Sequence, residues 1–103
     1  MSVLVLVELD GAAPADASLR AVSMARSLGD VNAVVFADTA PQDTLARYGV
    51  TDVYLIESSS LDAYAPQAWA RVLAGLADET GATAVLAAGT DRGTEVLAHL
   101  GAI

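Results

Sequence analysis

Short aliphatic runs alternate along this chain with longer segments in which apolar residues recur every three or four positions. Val3 to Leu9 is aliphatic apart from Glu8, the pattern of a strand buried on both faces of a parallel sheet, and Asp10-Gly11 ends it. The spacing then predicts a helix capped by Asp16 or Ser18, with Leu19, Val22 and Leu28 on one side and Gly29 as its stop. Val31 to Ala37 reads as a second strand. Thr39 and Gln42 have the capping-box spacing with Pro41 between them, which predicts a short helix over 40–48 closed by Gly49. Asp52 to Glu57 is a third strand by β-propensity, followed by a solvated connector at Ser58, Ser59 and Ser60. Pro66 to Thr80 carries Trp69, Val72, Leu73 and Leu76 on one stripe, and Gly81 closes it. Trp69 on that stripe reads as a core aromatic.

The last unit is a strand, Ala84 to Ala88, broken at Gly89 and reopened as a helix from Thr94 to Leu100. Strand and helix alternate throughout, which predicts one α/β domain over residues 1–103: a three-layer Rossmann-like parallel sheet of the adenine-nucleotide-hydrolase-like kind. In the common strand order 3-2-1-4, the connections reverse direction between the first and fourth strands. Doubly wound folds bind ligands at such a point, at the carboxyl ends of the strands. Asp10 and Gly11 would there face Gly89, Thr90, Asp91, Arg92 and Gly93 across one crevice. These seven are the candidate site residues. The segment is neither a dinucleotide fingerprint nor a Walker loop, and glycines that end a strand and let a helix pack close explain the same pattern. The fourth strand lies at an edge in this order, and an apolar edge points to a longer protein or to pairing with another chain.

Charge and composition narrow the partners. The net charge is −8, with no lysine and five arginines, which opposes binding to nucleic-acid phosphate and to anionic membranes. No apolar run reaches the roughly 20 residues of a spanning helix, and the start lacks the basic region of a signal peptide, so a cytoplasmic location is the default. Without cysteine there is no thiolate or iron–sulfur ligand, and the single histidine, His99, does not make a metal site alone. His99 is also the only base for a serine nucleophile, and it sits on the last helix, away from the strand ends. A hydrophobic fraction of 54% and a mean hydropathy of +0.49 are high for a free-standing domain of this size.

The run YGVTDVYLIE, residues 48–57, and the stretch from Ala63 to Leu100 resemble the amino-terminal domain of the electron transfer flavoprotein alpha subunit, of an actinobacterial kind. The opening SVLVLVELDG and the helix SLRAVSMARSLG match that family's start. The resemblance implies an electron carrier, not an enzyme. Such a carrier accepts electrons from acyl-CoA dehydrogenases of fatty acid β-oxidation and from other dehydrogenases, and passes them to a membrane quinone oxidoreductase of the respiratory chain. It also implies a heterodimer with a beta subunit that holds AMP, and one FAD whose site lies mainly in the carboxyl-terminal half of the alpha subunit. No flavin-binding residue carries over to residues 1–103, so the resemblance makes this domain scaffold and beta-subunit interface. The alternative reading is a stand-alone adenine-nucleotide-binding, universal-stress-like module using the crevice of Asp10 and Gly89 to Gly93.

Overall fold

Val3, Leu4, Val5 and Leu6 are fully buried because β1 (Ser2–Leu6) has a parallel neighbour on each side and a helical layer on each face. In the computed structural model, which describes residues 2–11, 13–37, 39–56, 66–88 and 90–101, these neighbours are β4 (Asp30–Phe36) and β6 (Ala84–Ala87). β5 (Val50–Ile56) pairs with the far side of β4, giving the order β5-β4-β1-β6. Counting only these four strands along the chain, this is the expected order 3-2-1-4, and every pairing in it is parallel.

Side-chain alternation divides the core into two layers. Val3, Val5 and Val7 point to the face covered by α1 (Asp16–Ala25) and α2 (Gln42–Arg47), where they meet Val22, Ala25, Val31, Val35 and Leu45. Leu4 and Leu6 point to the face covered by α3 (Pro66–Thr80) and α4 (Asp91–Gly101), where they meet Val34, Ala70, Leu73 and Val96. Helix, sheet and helix thus form three layers. A register shift between β4 and β5, at Val31 and Asn32, leaves Thr51 as an extra residue and returns Val53 and Leu55 to the α1 face.

Several boundaries differ from the sequence expectation. The first strand stops at Leu6. Leu9–Asp10 (β2) and Ala13–Pro14 (β3) then pair antiparallel in a small hairpin, where a loop was expected. Two-residue strands carry no periodicity to detect. α1 is entered from Ala15 with no side-chain cap, not from Asp16 or Ser18, because the Ala15 amide is held by the Glu8 carbonyl at 2.8 Å. It ends at Ala25, so Leu28 falls in a turn and is 47% exposed, not on the apolar stripe. α2 starts after Pro41 without a bond from Thr39, so the capping box is not made. α3 matches its predicted span, and Trp69 stacks face to face on Phe36 at 4.3 Å. α4 begins three residues before Thr94, at Asp91. Glu57, Ser58 to Ser60 and Gly89 lie outside the described residues.

Candidate functional site

The connections reverse direction between β1 and β6, as anticipated, and just beyond the carboxyl ends of these strands the chain is tied across. Thr90 Oγ1 donates to Glu8 Oε2 at 2.6 Å. The same oxygen accepts the Gly93 amide at 3.0 Å, and the Thr90 carbonyl accepts the Thr94 amide at 2.9 Å. Thr90 therefore caps α4 while joining it to the end of the first strand. The Thr94 bond is the first of the helix's own ladder, whereas the Gly93 amide is one of its orphan donors, and the cap removes it from the set available to an anion.

Glu8 is held from the other direction as well. Its amide donates to Ser18 Oγ at 2.9 Å, and Ser18 is fully buried on α1. One residue after the strand thus connects both helical layers. The sequence reading placed Glu8 inside the first strand and took Ser18, with Asp16, as a candidate cap. The signal that distinguishes them is a carboxylate placed two residues beyond the core strand, facing a threonine before a helix.

Of the seven candidates, Thr90 and Gly93 belong to this tie. Asp10 and Gly11 are carried into the β2–β3 hairpin, where both are exposed and Gly11 supplies the turn at φ +67. Asp91 and Arg92 are the first residues of α4, and Gly89 lies outside the described residues. Gly93 is buried where α4 crosses the strand end, and a Cβ there would run into the Ala88 carbonyl. An open concavity lies on the other side of β1, toward β4. It is a cleft of about 490 Å³ lined by Val7, Glu8, Leu9, Phe36, Ala37, Trp69 and Arg92. Carboxylate, guanidinium and an aromatic pair converge there, and among the described residues of its walls Arg92 is the sequence candidate. In sequence Phe36 was legible as part of the second strand, and Trp69 as a core aromatic ahead of its alternative as a stacking platform for an adenine or flavin ring.

Among the described residues no cluster of acidic or histidine side chains is placed to hold a metal ion, and no helix is long and apolar enough to cross a membrane.

Comparison with known proteins agrees with this architecture and gives it a family. By fold, the chain is similar to a universal stress protein whose crystal structure was solved in complex with cAMP. The TM-score is 0.53 at 24% identity, covering 98% of this chain and 87% of that one. By sequence, it is 38% identical over 104 residues to the electron transfer flavoprotein subunit alpha of Mycobacterium tuberculosis, in strains CDC 1551 / Oshkosh and ATCC 25618 / H37Rv alike. That alignment covers 97% of this chain and 33% of the relatives, so the chain spans about a third of the length of the curated relatives it matches. The family model for the electron transfer flavoprotein domain matches residues 3–103. The chain belongs to the electron transfer flavoprotein domain family.

Proposed function

We propose that this chain is the amino-terminal scaffold domain of an electron transfer flavoprotein alpha subunit. It forms part of the interface with a beta subunit, in a carrier that takes electrons from acyl-CoA and other dehydrogenases toward a quinone oxidoreductase and the respiratory chain. The observation that carries the reading is the 38% identity to alpha subunits across 97% of the chain. In this reading the domain performs no bond-making step; it holds its neighbours in register while a flavin supplies the redox chemistry. We place the FAD outside residues 1–103, AMP in the beta subunit, and the assembled heterodimer in the cytoplasm. The described residues are a poor fit for FAD. Among the described residues the cleft offers one guanidinium and one carboxylate, and the Gly93 amide, which a pyrophosphate would seek, already serves Thr90.

Native mass spectrometry of the polypeptide isolated from its source cell tests this. A longer chain bound to a second subunit and carrying FAD is the expected result. A chain carrying only AMP or ATP, with no second subunit, overturns it.

One observation favours a second reading, an adenine-nucleotide-binding module. The cleft beside β1 combines the Phe36–Trp69 aromatic pair with Glu8, an acceptor for ribose hydroxyls, and Arg92, a donor to phosphate. Calorimetric titration with AMP and ATP tests it: binding in the micromolar range supports the module, and no heat at millimolar nucleotide removes it.

A further inference from the structure

We draw no further inference here: the strongest candidate, the exposed surface of α1 and α2 where Met24, Leu28 and Tyr48 stand among Arg20, Arg26 and Arg47, carries nothing, because Asp16 and Asp43 share the same helices and leave no single sign of charge for a partner to match, and nothing in the structure shows what covers it.

Discussion

Glu8 and Thr90 stand 82 residues apart in the chain and are joined by a 2.6 Å hydrogen bond at the point where the sheet's connections reverse direction. The acceptor is a carboxylate oxygen, and the donor oxygen also caps α4. Thr90→Val keeps the shape and removes both functions, so it should lower the stability of the domain by about 2 kcal/mol. Thr90→Ser should stay within about 0.5 kcal/mol of the parent, since it retains the hydroxyl. Urea unfolding of the two variants beside the parent checks the difference.

Gly93 and Gly75 are both helical glycines, and they should respond in opposite directions to alanine. A Cβ at Gly93 meets the Ala88 carbonyl, backbone that does not yield, so α4 must shift at a cost of about 1–3 kcal/mol. Gly75, exposed on α3, has nothing within 4 Å of the same position. Gly75→Ala should therefore stabilise by about 0.5–1 kcal/mol through helix propensity. Thermal melts of the pair decide whether close packing sets the identity of Gly93.

Ser18 is fully buried and accepts the Glu8 amide. Ser18→Ala leaves that amide without its partner and should cost about 1–3 kcal/mol. Ser23→Ala, on the exposed side of the same helix, should change stability by less than about 0.5 kcal/mol. Equal effects of the two, measured by chemical denaturation, would contradict the role given to Ser18.

Trp69 is the single tryptophan and lines the cleft beside β1. If AMP enters that cleft, its emission should change saturably with nucleotide, and Arg92→Ala should weaken the response about tenfold or more, the loss of a charge-assisted contact. An emission spectrum unmoved by millimolar AMP would exclude the nucleotide reading of this cleft.

The four-stranded parallel order and the span of α3 were legible because they rest on strong signals: uninterrupted aliphatic runs and a Trp69, Val72, Leu73, Leu76 stripe. The start of α4 was not. Gly93 reads in sequence as a glycine that lets the helix pack close, with the helix starting after it, whereas the helix already runs through Gly93, where a Cβ would meet the Ala88 carbonyl. The hairpin that carries Asp10 and Gly11 aside escaped notice because its strands are two residues long. Thr90 and Arg92 were picked out from the turn. Their actual neighbours, Glu8 and the Phe36–Trp69 pair, come from elements far away in sequence, and long-range pairing of polar groups leaves no local pattern.

The aromatic residues of the core are distributed on one side only. Phe36, Tyr54 and Trp69 all pack in the layer between the sheet and α3 and α4, while the hydrophobic cluster under α1 and α2 holds no aromatic side chain among the described residues. Tryptophan fluorescence therefore watches one layer of the molecule. A partly unfolded species that had lost α1 and α2 but kept the other layer would keep a native tryptophan signal, and a backbone measurement would expose it.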